Sequence, residues 1–393
     1  MSTTTIILKA KRDRPFRFRH PWVFSGAMGK VEGSPADGDE VLVVDTKKEF
    51  IARGLYNSKS QIAVRLFSWS EAVSLDEDFW RGRIRRAIGH RKPLLESGQA
   101  CRLINSEGDG LSGLVLDWYP PFGVVQFMSL GLDARREMLL KVIQETTGIE
   151  HLYERSDGSI CKYEGLPERS GVLLGDEPGK THTFKENGLD LLVDLKEGHK
   201  TGFYLDQRQN RARAAALAKP GRVLDVCCYT GAFGIQAAAA GAKVIAIDQA
   251  RQPLDLAKQN AVNNGLEGRF SKRLSPAATE LRKLVDAGEK FETIILDPPK
   301  FAHSRRELEK AARGYHELNL RALQVAAEDA LLYTCSCSGA MDLYGFQSIL
   351  HGAAHDAGRD LQIIEVHFQA EDHPFLASCP ESQYLKCLIC RVW

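Results

Sequence analysis

Arg222-Val223-Leu224-Asp225-Val226-Cys227-Cys228-Tyr229-Thr230-Gly231-Ala232-Phe233-Gly234 runs from an apolar stretch through a turn into the alanines at 237–240. A short apolar run closed by a glycine turn reads as a buried strand, and the alanines beyond it as a helix. The pattern continues outward. Lys243–Asp248 is the next strand and Pro253–Asn263 the next helix. Phe291–Leu296 is another strand, Arg306–Ala327 a helical region and Ala330–Thr334 a strand. Such alternation predicts an α/β fold, a mostly parallel Rossmann-like sheet with helices on both faces. Leu361–Phe368 and Tyr384–Arg391 follow without a long helix between them, so an antiparallel terminal hairpin is expected.

The turn limits what it can bind. A pyrophosphate site wants G-x-G-x-x-G, whereas this loop carries Gly231-x-x-Gly234 with bulky Tyr229 where space would be needed. That argues against a nicotinamide dinucleotide and fits a cofactor without phosphate. Asp248 ends the second strand, where an acid can accept hydrogen bonds from ribose hydroxyls. Upstream, the donor-rich Gly198–Arg211 reads as a polar turn that enters a helix near Asp206.

Two further strings follow strand-like runs. Asp297-Pro298-Pro299-Lys300-Phe301 comes after Thr293–Leu296, and Tyr333-Thr334-Cys335-Ser336-Cys337-Ser338-Gly339 comes after Ala330–Leu332. In a parallel sheet these place an acid and a thiol on one rim, an arrangement suited to attack on a nucleic-acid base by sulfur.

The rest of the chain is organised differently. Residues 1–75 hold short strands at Glu40–Asp45, Phe50–Arg53 and Gln61–Phe67, broken by turn residues, and suggest a small β-barrel. Leu75 to about Glu96 reads as a helix with acids in its first turn and cations towards its end. Gly113–Trp118 and Gly123–Leu130 read as a hairpin and Asp133–Thr147 as a helix. The glycine-rich stretch 164–180 marks a boundary. The expected domains are 1–75, 76–185 and 186–393.

A length of 393 residues allows two or three domains. No apolar signal core or bilayer-spanning run is evident, and the nine scattered cysteines suggest reduced thiols in the cytoplasm rather than a disulfide framework. Cys387 and Cys390 read as small apolar residues of a buried strand; no metal site is expected. The net charge of +1 is uninformative, but its distribution is not. Lys9–His20 carries six Lys/Arg and one acid beside Phe16, Phe18, Trp22 and Phe24, and Phe79–Lys92 carries six more with no acid. Clustered cations interleaved with aromatics fit a phosphate backbone. Lys11, Arg12, Arg14, Arg17, Arg19 and Trp22, with Lys300 at the acid loop, are the candidate RNA contacts.

Gly198-x-Lys200-Thr201-Gly202-x-Tyr204-Leu205-Asp206-Gln207-Arg208, Tyr229-Thr230-Gly231-x-Phe233, Asp297–Phe301, Arg313-Gly314-Tyr315 and Ser336–Gly339 stand in a telling order. With His20-Pro21-Trp22-Val23-Phe24-Ser25-Gly26 and Asp372-His373-Pro374, they resemble the bacterial 23S ribosomal RNA large subunit methyltransferase I family across essentially the whole chain. These are PUA-domain class I RNA cytosine-5 methyltransferases. The resemblance implies an N-terminal PUA-like RNA-binding barrel, a central α/β domain and a methyltransferase domain using S-adenosyl-L-methionine. It also implies formation of 5-methylcytidine in 23S rRNA or a large-subunit precursor.

The cofactor residues implied are Gln207, Arg208, Asp225, Tyr229, Thr230, Gly231, Asp248 and Asp297. Asp297 would also bind the flipped cytosine. The resemblance makes Cys337 the nucleophile, while the Tyr-x-Thr-Cys-Ser-like string of other RNA cytosine-5 methyltransferases would point to Cys335. The family's acid after the third strand is missing from Phe270–Pro276. Methylation of an adenine or guanine amino group, which also uses an Asp-Pro-Pro loop, and a non-catalytic ribosome-assembly role stand as alternatives. A second copy of the chain, in a homodimer, is an open expectation.

Overall fold

The computed structural model describes residues 4–156, 158–218, 221–302 and 304–393. Two compact units partition the chain: Met1–Lys180 with Leu195–Gly202 and Glu371–Ser382, and Thr181–Asp194 with Phe203–Ala370 and Gln383–Trp393. The expected 75/76 junction falls inside the first unit, and the expected 185/186 junction inside a segment of the second.

In the first unit, six strands lie in the order Trp22–Phe24, Ile62–Ser68, Phe50–Tyr56, Glu40–Val44, Thr5–Leu8, Met28–Glu32. Alternate residues, among them Ile6, Leu8, Val41, Val43 and Val64, turn inward to one core, the period-2 burial of a strand with one wet face. A five-stranded sheet follows, ordered Arg169–Leu174, His151–Ser156, Phe122–Phe127, Leu114–Tyr119, Cys101–Asn105. Trp80 and Ile84 of helix Glu77–His90, with Leu139 and Ile143 of helix Arg136–Thr147, bury against its apolar residues. The helix expected over 75–96 begins where Asp76 accepts a hydrogen bond from the Phe79 amide at 3.0 Å. It breaks at Arg91, whose guanidinium is pulled inward onto both oxygens of Asp109 at 2.7 and 2.8 Å, and a second short helix spans Lys92–Glu96.

Among its described residues the second unit holds a two-stranded hairpin, His182–Glu186 with Leu189–Val193, and a seven-stranded sheet whose strands are β1 (Arg222–Val226), β2 (Lys243–Asp248), β3 (Phe270–Leu274), β4 (Phe291–Leu296), β5 (Ala326–Ser336), β6 (Leu361–His367) and β7 (Lys386–Val392). Their spatial order is β3-β2-β1-β4-β5-β7-β6. The first five pair in parallel, and β7 runs antiparallel between β5 and β6. The parallel sheet and the antiparallel terminal hairpin are thus both present. Six helices serve this sheet: α1 (Arg208–Leu217), α2 (Ala232–Ala239), α3 (Arg251–Asn263), α4 (Ala277–Asp286), α5 (Leu308–Gln324) and α6 (Leu343–Ala357).

Two expectations need correction. The helical region expected over 306–327 stops at Gln324, and Ala326 already pairs with Phe291 in the sheet. Helix α6 was not expected. Asp342 starts it by accepting the Gly345 amide at 2.7 Å, and Phe346, Leu350, Ala353 and Ala354 form its buried stripe.

Candidate active site

Parallel strands deliver their C-terminal ends to one rim, where such sheets bind ligands. After β1 the backbone takes left-handed conformations at Cys227 (φ 62°) and Tyr229 (φ 52°). Two acids hold the loop in that shape. Asp248 accepts the Tyr229 amide at 2.9 Å and the Ala250 amide at 2.8 Å; buried Asp225 accepts the Gly234 amide at 2.8 Å. Burial, reinforced by Asp297 and Asp248, pushes the Asp225 carboxyl up to about 7.

The glycines serve packing more than ligand approach. A Cβ on Gly234 would stand 2.8 Å from Val244 Cγ1 and one on Gly231 2.8 Å from Ala257 Cβ. Tyr204 meets the ring of Tyr229 edge to face at 5.3 Å. The Thr230 hydroxyl is buried with no protein hydrogen-bond partner.

Asp297 emerges after β4, where its carboxylate accepts Gln207 Nε2 at 3.0 Å. Gln207 Oε1 in turn accepts Asn210 Nδ2 at 2.6 Å. Arg208 is buried at the start of α1. Its neighbour Arg211, expected only as part of a donor-rich turn, is a buried structural cation held by both oxygens of Glu186 at 2.6 and 2.5 Å.

The two candidate thiols differ sharply. Cys335 belongs to β5, is fully buried and faces Cys387 across the antiparallel pair. Burial and that neighbour raise its thiol well above the ordinary range. Cys337 lies just past the strand and is half-buried. The serines on either side are drawn inward to one ring. Ser336 Oγ donates to the Tyr315 hydroxyl at 3.0 Å, and Ser338 Oγ lies 3.1 Å from the same hydroxyl. Ser338 Oγ also accepts the Ala302 amide at 3.3 Å. Tyr315 packs on Phe301 at 4.8 Å between ring centroids, so the Asp-Pro-Pro loop and the thiol loop share one brace. This role explains the Arg313-Gly314-Tyr315 string. Register adds to it: Leu296 pairs with Thr334, placing Asp297 beside Cys335 with Cys337 two residues on.

One functional candidate escaped the sequence reading. Lys386, at the start of β7, is almost fully buried. A single lysine beside apolar residues carries no motif, and its role is visible only once β5 and β7 pair.

Among the expected RNA contacts, Lys11, Arg12, Arg14 and Arg19 are exposed on the first unit and Lys300 on the second. Arg14 lies over the ring of Phe18, a residue that is 71% exposed. Arg17 is committed elsewhere: it donates to Asp13 and Asp45 at 2.7 Å and to Glu49 at 3.3 Å. Trp22 donates its indole N–H to Glu107 at 3.0 Å and is half-buried. In the second basic run Arg91 is buried, Arg83 donates to the Phe67 carbonyl at 2.8 Å and Arg81 pairs with Glu77 and Glu145, leaving Arg85, Arg86 and Lys92 exposed. His20, Cys379 and Glu381 bring potential metal ligands within 4.8 Å of one another. The Trp22 amide donates to His20 Nδ1 at 3.2 Å, so in the neutral ring Nε2 carries the proton and has no lone pair for a metal.

Cys387 and Cys390 are buried within β7, as small apolar residues would be. No helix among the described residues is long and apolar enough to cross a membrane.

A sheet ordered 3-2-1-4-5-7-6, with carboxyl groups ringing the ends of β1, β2 and β4, defines an S-adenosylmethionine-dependent methyltransferase. Residues 130–378 match that family and residues 6–69 match the PUA-like domain. The chain belongs to the Ribosomal RNA large subunit methyltransferase I family. It is 42% identical to the Aeromonas salmonicida member over 98% of both chains, and 42% identical to the Tolumonas auensis member over 99% of both. A solved structure described as a SAM-dependent methyltransferase from Streptococcus mutans shares the fold at TM-score 0.85 and 20% identity, over 98% of this chain and 99% of that one. A methyltransferase solved with SAH superposes at TM-score 0.86 and 20% identity over the same shares.

The residues present suit the cofactor. Asp248 and Asp297, both partly exposed, put negative charge on the rim and favour a cationic ligand over a pyrophosphate, while buried Asp225, expected to touch the cofactor, serves the loop behind them; the Thr230 hydroxyl offers an unused polar group.

Proposed function

We propose that the protein forms 5-methylcytidine in 23S rRNA, in the free RNA or a large-subunit precursor in the cytoplasm, through a covalent adduct of Cys337. The reading rests on one contrast: Cys335 is sealed inside the sheet, whereas Cys337 stands partly open on the rim from which Asp297 emerges. Carbon 5 of cytosine is a poor nucleophile. Addition of the Cys337 thiolate forms an S–C6 bond and moves the C5–C6 π pair to carbon 5. Asp297, held by Gln207, would meet the Watson–Crick edge of the flipped base and favour protonation at N3.

Bound S-adenosylmethionine supplies an electrophilic methyl group on a sulfonium, and Asp248, Tyr229, Thr230 and Gly231 with Gln207 and Arg208 would hold it. With carbon 5 methylated, its proton would pass to water, the C5–H electron pair would re-form the C5–C6 double bond, and the S–C6 pair would return to the Cys337 sulfur. The PUA-like segment, with Lys11, Arg12, Arg14 and Arg19, would contribute phosphate contacts, and Lys300 would steer RNA at the site itself.

RNA containing 5-fluorocytidine tests this, because fluorine cannot leave as a proton and the adduct persists. The wild-type protein and Cys335→Ala should both be trapped, and Cys337→Ala should show neither adduct nor methylation. Full-rate methylation by Cys337→Ala would remove the assignment. Methylation with no trapped species in any variant would favour an amino group as acceptor.

A further inference from the structure

Lys386 uses all three of its ammonium donors on main-chain carbonyls: Ser338 at 2.8 Å, Met341 at 2.7 Å and Tyr384 at 2.9 Å. Two of these belong to the segment that leaves β5 immediately after Cys337. The side chain is 4% exposed, and among the described residues no carboxylate forms an ion pair with it. A buried cation satisfied only by neutral dipoles is costly unless a nearby anion offsets it.

We propose that Lys386 is the positioning residue of the thiol loop: it fixes residues 338–341 in place and provides the positive charge against which the Cys337 thiolate forms. The inference rests on Cys337 being the nucleophile. The charges around Lys386 agree with it. Ionised Cys337 and Asp342 favour its ammonium, Lys300 opposes it, and burial outweighs them all, bringing its pKa down to about 8. Breaking the Cys337 S–H bond sends the proton to water and leaves the electron pair on sulfur, so a fixed ammonium nearby shifts that equilibrium towards thiolate. At neutral pH, below its own pKa, Lys386 keeps its proton through this step and forms no bond to substrate.

The test uses the full-length, cofactor-free protein. The rate of Cys337 alkylation by iodoacetamide, quantified on its peptide by mass spectrometry, is followed from pH 5 to 10. Lys386→Met should alkylate about tenfold more slowly than wild type at pH 7, equivalent to a shift of about one pKa unit, and equally fast at pH 10. Lys386→Arg should restore much of the difference. Overlapping profiles for wild type and a folded Lys386→Met would overturn the proposal.

Should Lys386→Met fail to fold, coupling must still appear from the other side, because it is reciprocal. The ¹³Cε resonance of Lys386 should titrate at lower pH in Cys337→Ser than in wild type, and an unchanged titration would overturn the proposal. The 5-fluorocytidine trap separates the two claims. If Cys337→Ala still forms the adduct, the nucleophile assignment falls and this inference with it. If Cys337→Ala loses the adduct while Lys386→Met keeps the wild-type alkylation profile, only the role of Lys386 falls.

Discussion

Two cysteines two positions apart meet different fates because a strand ends between them. Cys335 shares the sealed interior of the sheet with Cys387, while Cys337 escapes it because Ser336 and Ser338 spend their hydroxyls on Tyr315. A thiol and an acid were legible after two apolar runs, and those runs are the neighbouring parallel strands β4 and β5. The sequence could not register Lys386, because a lysine's partners here are carbonyls distant along the chain. Nor could it show that Arg17 and Arg91 are consumed by acids, which composition alone counts as available charge.

Asp225 carries a prediction at the same scale. Its folded pKa of about 7 lies above the ordinary 3.8, so between those values the native state binds more proton than the unfolded chain. Its contribution to stability is therefore complete below about pH 4 and lost as pH rises through 7. Asp225→Asn should flatten the fall in melting temperature of the cofactor-free protein between pH 5 and 7, by up to one proton's slope of about 1.4 kcal/mol per pH unit. Parallel curves for the two proteins would show that Asp225 ionises normally.

At the scale of elements, helix α5 ties two loops that the chain separates widely. Tyr315 sits on α5 and meets Phe301 on one side and Ser336 and Ser338 on the other. Tyr315→Phe keeps the ring packing and removes the shared hydroxyl. It should cost about 1–3 kcal/mol and lower kcat, with little change in the affinity for S-adenosylmethionine measured by calorimetry. Equal losses in affinity and turnover would mean that the brace also shapes the cofactor loop.

Strands β1, β2 and β4 were legible almost to the residue, because parallel strands buried on both faces are continuous apolar runs. Helix α6 was overlooked although Asp342 and its apolar stripe announce it. The extra length of β5 was hidden because Ala326 to Asp329 has no strand-like alternation: Ala326 alone pairs with β4 there, and the register shifts before Leu331.

At the scale of the molecule, the exposed cations of the first unit should govern the salt dependence of RNA binding. Arg12→Ala and Arg14→Ala should each reduce the slope of log affinity against log salt by about 0.7–0.9. Arg17→Ala, whose charge is already met by Asp13, Asp45 and Glu49, should leave it nearly unchanged. Anisotropy titrations on a 23S rRNA fragment would measure this, and equal slopes for all three variants would place the phosphate contacts elsewhere. A small N-terminal β-barrel was readable from its turns, and the resemblance implied its PUA-like character, but the partition of the chain was not readable, because both units are assembled from separated stretches of sequence.

That discontinuity bears on how the protein is made. The first unit takes in Glu371–Ser382, and the Asp372 within that stretch accepts the Arg102 amide at 2.9 Å with its side chain and Arg91 at 2.9 Å with its carbonyl. During synthesis residues 1–180 leave the ribosome long before Asp372 does. Arg91 and the Arg102 amide are without these two partners, and bond water instead, until translation is nearly over. The Asp-His-Pro string is in this sense a closing stitch, and a nascent chain stalled before it would hold an N-terminal unit that cannot be finished.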